Sequence, residues 1–532
     1  MSTDLVHDLI SDIVGEAVIP KDWKDSIIIN CFKGKGDATD RGNYRGLKLL
    51  EHVMKILERV IDKLIREQVE IDSMQFGFMP GRSTTDAIFI LRQLQEKYLA
   101  KDKTLYLAFV DLEKAFDRVP RKVVWWAMRK MKVPEVLVRT VQAMYHNASA
   151  RVRVGTSFSE KFNVKVGLHQ GSVLSPLLFI MVLEALSVEF KEGCPWELLY
   201  ADDLALIAET MAELTVKLQT WKQGMEAKGL RVNMGKTKVL VSNRSYAPVT
   251  EQADYPCSVC HKGVGSNSNF CVVCKHYVHW KCSGIKRKQK KDEPEYTCRV
   301  CTGDLVIQAP PRPEPLLLDG VELETVDSFC YLGDTIGAGG GAGESSSTRV
   351  RCGWQKFRDL LPVLTSKRFS QRRKGDFYGA CVRSVLLYGC ETWAVKEEDT
   401  VRLERTDHAM IRWICGVSLK DKQYTSVLLD RLGLMSVREV MRRKRLRWFG
   451  HVERRGEDNW VSGVRTLKVQ GSGKGLGALK SWGKVVEEDL RSRRVDQGSK
   501  TFRTLVQDQE KWRSVCNGTI LSNNPRSLRK RR

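Results

Sequence analysis

The sequence lacks any long apolar stretch. No run of about eighteen apolar residues, the length that a membrane-spanning helix needs, occurs among its 532 residues. Its first residues, MSTDLVHDLISDIV, also lack the basic segment and apolar core of a secretory signal peptide. We therefore expect neither a membrane partner nor export.

Acidic residues are scarce relative to basic ones. The chain has 64 Asp and Glu against 88 Lys and Arg, which gives a formal net charge of +24. An excess of this size favours a polyanionic partner, with nucleic acid first, although a ribosomal or histone-binding protein would carry it too. A chain of this length is too long for one core, and we expect about two to four compact units.

Cysteines are concentrated in one segment. Seven of the 15 lie between Cys257 and Cys301, and the other eight are scattered. Without a signal peptide, this pattern favours a reducing compartment and a metal site over a disulfide framework. The terminal SLRKRR (527–532) has the composition of a nuclear import signal, or is merely a solvated end. The expected location is nuclear or cytoplasmic, with the nucleus favoured.

Two adjacent acids, Asp202 and Asp203, stand within the apolar segment LLYADDLALIA (198–208). The flanking residues predict a buried hairpin of two short strands with the acids at its turn. Because neighbouring buried carboxylates are costly unless cations compensate them, the pair predicts a divalent metal. Asp111, at the end of another hydrophobic strand, is a third acid. Three acids at strand ends can hold two Mg²⁺ about 4 Å apart for in-line phosphoryl displacement.

Seven motifs follow one another in a fixed order around these acids. They are NYRGLKLL (43–50), QFGFMPGRSTTDAI (75–88), FVDLEKAFDRV (109–119), GLHQGSVLSPLLF (167–179), YADD (200–203), GLRVNMGKTKVLV (229–241) and FCYLG (329–333). This succession resembles the reverse transcriptase domain of non-LTR (LINE-type) retrotransposons. The resemblance is strong over residues 15–245 and continues less distinctively towards the C-terminus.

The resemblance implies an α+β fold, the right-hand polymerase with fingers, palm and thumb. A small two-zinc cross-brace insert and a helical C-terminal region would complete it. The expected units are fingers at 1–100, palm with the catalytic carboxylates at 101–245, a PHD-like zinc finger at 256–302, a linker and return to the palm at 303–336, a flexible Gly/Ser linker at 337–347, and a helical thumb with a basic C-terminal extension at 348–532.

The resemblance also implies an RNA-directed DNA polymerase that extends a DNA primer on an RNA template with deoxynucleoside triphosphates. Asp111, Asp202 and Asp203 would be its catalytic residues and hold both magnesium ions. Two competing functions retain the same fold. One is a catalytically silent nucleic-acid or chromatin-binding protein, and the other is an unselected element relic. We expect the short segment before the first motif to leave no room for an endonuclease.

Five residues match nucleotide-binding positions of the family. Arg45 would bind the triphosphate, Phe116 would exclude a ribose 2′-hydroxyl, Gln170 and Gly171 would lie under the incoming nucleotide, and Lys236 would lie near the pyrophosphate. Simpler roles are a surface ion pair for Arg45 and core packing for Phe116. The family usually has Pro-Ile-Ser after the arginine, so Gly46-Leu47-Lys48 departs from it. Arg82 is a weaker candidate for nucleic-acid contact.

The cysteine-rich segment contains eight soft or borderline metal ligands in four pairs. They are Cys257, Cys260, Cys271, Cys274, His279, Cys282, Cys298 and Cys301. Two structural zinc sites are the prediction, because such a small module lacks the core to fold without metal.

The spacing resembles a PHD finger, whose cross-brace pairs Cys257 and Cys260 with His279 and Cys282. The second ion would then bind Cys271, Cys274, Cys298 and Cys301. A RING-type alternative would leave Cys271 unused. Tyr255 and Tyr277 are candidates for an aromatic cage for methyl-lysine on histone tails, or are packing residues.

The segment MRRKRLRWFGHVERR (441–455) interleaves basic residues with Trp448 and Phe449. Basic side chains can follow a phosphate backbone while aromatic rings stack on bases. The alternative is an amphipathic thumb helix whose aromatic rings face its own core.

Overall fold

The computed structural model describes residues 3–34, 36–243, 268–274, 277–283, 296–299, 301–302, 315–456, 459–471 and 480–518. Cys257, Cys260, Tyr255 and the basic terminus 527–532 lie outside the described residues.

Helices dominate the chain. They are α1 (Thr3–Glu16), α2 (His52–Arg66), α3 (Thr84–Ala100), α4 (Ala115–Arg118), α5 (Arg121–Lys130), α6 (Glu135–Tyr145), α7 (Ser175–Ser187), α8 (Met211–Glu226), α9 (Trp280–Ser283), α10 (Gly343–Asp359), α11 (Leu361–Leu364), α12 (Gln371–Phe377), α13 (Ser384–Leu386), α14 (Glu397–Cys415), α15 (Thr425–Leu432), α16 (Val437–Glu453), α17 (Trp460–Thr466), α18 (Trp482–Ser492), α19 (Phe502–Gln507) and α20 (Gln509–Asn517).

The strands are short. They are β1 (Asp25–Phe32), β2 (Tyr44–Leu50), β3 (Leu105–Val110), β4 (Ser149–Val154), β5 (Ser157–Phe158), β6 (Phe162–Asn163), β7 (Glu197–Tyr200), β8 (Asp203–Ala208), β9 (Lys238–Ser242), β10 (Ser268–Phe270), β11 (Tyr277–His279), β12 (Leu317–Leu318), β13 (Val321–Glu322), β14 (Glu324–Thr325), β15 (Ser328–Tyr331) and β16 (Asp334–Gly337).

A five-stranded sheet in the order β14-β9-β3-β8-β7 forms the centre of the molecule. Strands β7 and β8 pair as an antiparallel hairpin in which Tyr200 faces Asp203, so the predicted hairpin with the acids at its turn is confirmed. Strand β3 lies between β8 and β9 and is antiparallel to both. Its LYLAFV sequence is almost entirely buried, as a central strand covered by other elements requires.

Two apolar helices supply much of the core around this sheet. Helix α7, SPLLFIMVLEALS, is buried on nearly all sides because its apolar residues are not confined to one face. Helix α3 is also largely buried, and it begins with a capping box in which Ser83 and Asp86 satisfy each other's backbone N–H groups.

A second sheet is built from the N-terminal part of the chain. Its order is β2-β1-β4-β5, with β6 paired to β4. Strand β1 is antiparallel to β2 and parallel to β4. This sheet presents the NYRGLKLL motif on β2, beside the loop that contains Gln170.

The predicted flexible linker at 337–347 is wrong. Helix α10 begins at Gly343, and Ser345 and Ser346 are buried. A side chain at Gly340, whose φ is +70°, would come within 2.6 Å of Leu99 Cδ1. The glycines therefore allow close packing and left-handed backbone, which composition alone cannot distinguish from flexibility.

The helices after residue 343 form two further apolar clusters. Trp393 and Leu403 are at the centre of one, and Phe357, Tyr378 and Ile411 of the other. Within the described part of the chain, no helix has both the length and the apolar character needed to cross a lipid bilayer.

Candidate active site

Three carboxylates meet at the ends of adjacent strands of the central sheet. Asp111 follows β3 directly, Asp202 occupies the turn after β7, and Asp203 is the first residue of β8. Because Val110 pairs with Leu204 across β3 and β8, the next positions of this register are Asp111 and Asp203. Opposed residues of antiparallel strands have Cα atoms about 4.5–5.5 Å apart, so the acids share one end of the sheet.

The charges of these acids oppose one another. Burial raises the pKa of Asp202 and neighbouring Asp111 raises it further, while Arg45 opposes the shift. The Asp203 side chain reaches solvent, yet desolvation by the surrounding protein and the charges of Asp202 and Asp111 raise its pKa to about 6. A site in which carboxylates disfavour each other's ionisation attracts a compensating cation.

Asp111 supplies the clearest sign that a cation fits here. Its Oδ2 atom is buried and accepts no hydrogen bond from the described part of the chain. The ammonium of Lys236 lies 3.6 Å from that oxygen and is itself largely exposed. A carboxylate oxygen that accepts no hydrogen bond, beside two further acids, has the hard oxygen chemistry that Mg²⁺ prefers.

The acidic turn is held from below by Gln75, which sequence reasoning missed. Its buried side-chain oxygen accepts hydrogen bonds from the backbone N–H of Ala201, at 3.0 Å, and of Gly77, at 2.9 Å. Ala201 has a φ of +56°, an uncommon conformation for alanine that this contact stabilises. A polar residue between the apolar Met74 and Phe76 was the available signal.

Two further contacts fix this segment. A Cβ on Gly77 would lie 2.4 Å from the Ala201 nitrogen, so only glycine permits this approach. One Arg82 nitrogen, Nη1, donates to the carbonyl oxygens of Asp72, Ser73 and Gln75. That nitrogen therefore stabilises the loop under the turn, which gives Arg82 a role different from the predicted nucleic-acid contact.

The predicted nucleotide-binding residues lie around the acids on neighbouring elements. Phe116, on α4, stacks against the buried Phe179 with ring centroids 4.6 Å apart. The Gln170 amide donates to Asp117 at 2.8 Å. Gly171 has a φ of +107°, and a Cβ there would lie 2.6 Å from the Lys48 carbonyl oxygen. Gly171 therefore lets its loop pack directly on strand β2.

A buried glutamate, also missed by sequence reasoning, orders that loop. Glu58 of α2 accepts hydrogen bonds from the Ser172 hydroxyl at 2.6 Å and the Val173 N–H at 2.8 Å. Burial raises the pKa of Glu58, and these two donors oppose the shift. The helical pattern of α2 showed an apolar face but gave no sign that an acid would face inward with it.

Four cysteines of the insert converge. The sulfur atoms of Cys271, Cys274, Cys298 and Cys301 all lie within 4.8 Å of one another. Cys271 and Cys301 sulfurs are 4.0 Å apart, and those of Cys274 and Cys298 are 3.9 Å apart. Tetrahedral zinc with bonds of about 2.3 Å places thiolate sulfurs about 3.8 Å apart. The grouping includes Cys271, as the PHD cross-brace predicts and the RING alternative does not.

The other predicted zinc site is described only in part. The Cys282 sulfur and His279 Nδ1 are 3.9 Å apart, while Cys257 and Cys260 lie outside the described residues. The Tyr277 ring packs edge-on against Phe270, with centroids 5.1 Å apart. An aromatic cage that also needs Tyr255 stays a prediction.

The basic segment 441–455 is mostly α16, and its aromatic rings face the core. Trp448 and Phe449 are buried. Arg442 and Arg445 pair with Asp489 of α18, and Arg443 pairs with Glu439. Much of this positive charge is thus used within the protein, as the amphipathic-helix alternative expects.

Comparisons with known proteins agree with this arrangement. A family described as "Reverse transcriptase (RNA-dependent DNA polymerase)" matches residues 33–297. The chain is 26% identical over 292 residues, 53% of its length, to the "Retrovirus-related Pol polyprotein from type-1 retrotransposable element R2" of Nasonia vitripennis. It is 23% identical over 386 residues, 71% of its length, to the "Probable RNA-directed DNA polymerase from transposon BS" of Drosophila melanogaster.

The chain spans 28% and 36% of the length of these two relatives. Among solved structures, apo telomerase from Candida tropicalis aligns with 46% of this chain and 56% of its own, at 14% identity and a TM-score of 0.32. Residues 33–297 therefore match the reverse transcriptase family, and the chain is similar in sequence to polymerases of non-LTR retrotransposons.

Proposed function

We propose that this chain is an RNA-directed DNA polymerase that transfers deoxynucleotides to a primer 3′-hydroxyl. The observation that carries the proposal is the convergence of Asp111, Asp202 and Asp203 on one end of the central sheet. Burial and neighbouring carboxylates raise the pKa values of Asp202 and Asp203 there. A buried carboxylate with only a structural role is expected to accept hydrogen bonds at both oxygens. Asp111 Oδ2 instead accepts no hydrogen bond from the described residues.

Asp111, Asp202 and Asp203 would hold two magnesium ions. When bound, these ions supply the positive charge that activates a 3′-hydroxyl and stabilises the phosphates of the transferred nucleotide. The carboxylates keep the ions at the sheet end because β3 and the β7–β8 hairpin fix the backbone on both sides.

The surrounding side chains suit a nucleoside triphosphate. Arg45 lies close enough to Asp202 to lower its pKa, so its exposed guanidinium is available for phosphate oxygens near the acids. Lys236, beside Asp111, would neutralise charge on the departing pyrophosphate. Gln170 and Gly171 would lie under the nucleotide, and the half-buried Phe116 ring would limit space at the 2′ position.

Primer extension tests the proposal. Purified full-length chain with Mg²⁺ and deoxynucleotides should extend a DNA primer on an RNA template. Asp202→Asn should reduce the rate by about 10³-fold or more, because removing a metal-binding carboxylate removes transition-state stabilisation of about 4 kcal/mol. Asp376→Asn, which removes an exposed acid of α12, should leave the rate unchanged.

Two outcomes would contradict this assignment. Primer extension by Asp202→Asn at the wild-type rate would show that the carboxylates do not take part in catalysis. No extension by the wild type, with template binding intact, would favour the silent binding protein.

The cysteine-rich insert is proposed to hold two structural zinc ions. The Cys271, Cys274, Cys298 and Cys301 sulfurs have the spacing of a tetrahedral site. His279 and Cys282 would provide half of the second site.

A further inference from the structure

A groove on helix α14 combines positive charge with an exposed aromatic ring. Its lining residues are Arg405, His408, Ala409, Arg412, Trp413, Val417 and Leu419. None of these seven is acidic. The cavity volume is about 510 Å³, within the range of about 300–1,000 Å³ typical of sites for small organic groups.

Trp413 gives the groove a stacking surface. Trp413 is 54% exposed, whereas Trp221, Trp393, Trp448, Trp482 and Trp512 are buried. The indole is held by an edge-on contact with the buried Phe357, at a centroid distance of 5.9 Å and an interplanar angle of 63°. A ring that is held in place yet exposed can accept a flat partner without losing much freedom.

The basic residues follow the same face of the helix. Arg405, His408 and Arg412 are three or four residues apart, so they form one row beside Trp413. Arg405 is exposed, and its guanidinium makes no ion pair or hydrogen bond with any other described residue. Among the described residues, the Arg412 guanidinium donates one hydrogen bond, of 3.4 Å, to the Thr425 hydroxyl, so most of its donors remain available.

The next loop continues both features. Tyr424 is 79% exposed and directly precedes Thr425, which contacts Arg412. Lys420 and Lys422 are also exposed on this loop. The nearby acids are occupied, since Asp407 is buried against Arg383 and Asp421 caps the backbone of Ser418.

We propose that this groove binds a single-stranded nucleic acid, with an unpaired base stacked on Trp413 and the adjacent phosphates bound by Arg405 and Arg412. The chemistry of the groove favours this ligand. Guanidinium groups without an acidic partner bind phosphates, and an exposed indole stacks on the flat face of a base. Unpaired nucleotides supply both at the spacing of consecutive residues along one strand. The inference goes beyond the proposed polymerase function, because binding here requires no nucleotidyl transfer.

Fluorescence anisotropy with the full-length chain tests the groove. The probes are fluorescein-labelled U20 RNA and dT20 DNA, in EDTA and without deoxynucleotides. Trp413→Ala should weaken binding by about 5- to 100-fold, the range expected for one stacked base, whereas Trp413→Phe should retain most of the affinity. Because neither metal nor substrate is present, a protein without polymerase activity would give the same result.

The salt dependence separates a direct contact from loss of folding. The Arg405→Gln/Arg412→Gln variant should reduce the slope of log affinity against log salt by about 1.4, because each phosphate contact on a single strand contributes about 0.7. The matched control is Lys132→Gln/Arg139→Gln, which removes the same charge at exposed positions around α6 and should leave the slope unchanged.

Two results would overturn the proposal. If Trp413→Ala leaves the affinity for both oligonucleotides unchanged, no base stacks on Trp413. A labelled oligoglutamate peptide that loses affinity in these variants, while the oligonucleotides do not, would identify an acidic protein segment as the occupant.

Discussion

At the scale of single residues, Gln75 fixes the position of the turn that contains Asp202. Its side-chain oxygen accepts two backbone N–H groups, from Ala201 and Gly77, within a fully buried setting. A buried donor that loses its acceptor costs about 1–3 kcal/mol, so the turn would shift to find another partner. Asp202, the next residue after Ala201, would move with it.

We therefore expect Gln75→Met to lower the rate of primer extension by about 10- to 100-fold, corresponding to about 1.4–2.8 kcal/mol. The Mg²⁺ concentration for half-maximal activity should rise, because displaced carboxylates bind the ions less well. Unfolding of part of the sample would lower the rate without moving that concentration. The control is Gln68→Met, at an exposed position after α2. Wild-type metal dependence in Gln75→Met would contradict the positioning role.

Phe116 tests selectivity at the same scale. Its stacking on Phe179 holds the ring in one place, as a steric gate requires. Phe116→Val should increase ribonucleotide incorporation relative to deoxynucleotide by about tenfold or more, since space for a 2′-hydroxyl opens. Phe116→Tyr keeps the ring and should keep the ratio. If Phe116→Val leaves the ratio unchanged, the ring is only a packing residue.

At the scale of secondary-structure elements, α3 connects the central sheet to the C-terminal helices. Phe89 of α3 packs edge-on against Trp482, the first residue of α18, with centroids 4.8 Å apart. Glu96 of α3 accepts the Trp482 backbone N–H at 2.8 Å. Burial raises the pKa of Glu96 to about 7, and the Trp482 N–H and Lys97 oppose the shift. The carboxyl is therefore held in a place that disfavours its charge.

The sign of the pH effect follows from this shift. The Glu96 carboxyl has a higher pKa in the folded than in the unfolded chain. The free energy of unfolding of the protein therefore decreases as pH rises from about 4.5 to about 7. Glu96→Gln should remove that loss and stabilise the protein at pH 8 by about 2 kcal/mol, with a smaller gain at pH 5. Thermal unfolding at both pH values is the measurement, and Glu322→Gln, at an exposed strand position, is the control. An equal effect at both pH values would show that Glu96 is not the titrating group.

At the scale of the whole molecule, the cysteine-rich insert has a core of its own. Cys271, Val278, Tyr296 and Cys298 form a small apolar cluster separate from the others. Among the described residues this cluster is too small to stabilise a fold by itself. The proposed zinc ions would supply the free energy of folding, on the order of 10 kcal/mol per structural ion.

Metal analysis of the full chain should therefore give two equivalents of zinc. Cys271→Ser should lose one equivalent and keep the other, because Cys271 serves only one of the two sites. Asp376→Asn serves as a control with unchanged zinc content. One equivalent in the wild type, or two in Cys271→Ser, would overturn the PHD-like pairing. Primer extension by the zinc-depleted chain would show how far catalysis depends on the insert.

Local patterns predicted much of this protein. The apolar segments on both sides of Asp202 and Asp203 specified a hairpin, and the strand ending at Asp111 specified the third acid, because strand length and acid position are encoded within a few residues. The cysteine spacing likewise predicted one group of four, Cys271, Cys274, Cys298 and Cys301, and their sulfur atoms converge. These features depend on neighbours in the chain, where a sequence is most informative.

Tertiary structure alone decided the features that depend on distant residues. Gln75 meets Ala201 across 126 positions, and Glu58 meets Ser172 across 114, so no local pattern marks either side chain as a support for the site. Composition predicted a flexible linker at 337–347, whereas Gly340 packs against Leu99 and helix α10 begins at Gly343. The basic residues of 441–455 suggested a nucleic-acid surface, but Trp448 and Phe449 are buried, so the aromatic face of that helix packs against the core. Charge and polarity state what a residue can bind, and only the fold determines which partner reaches it.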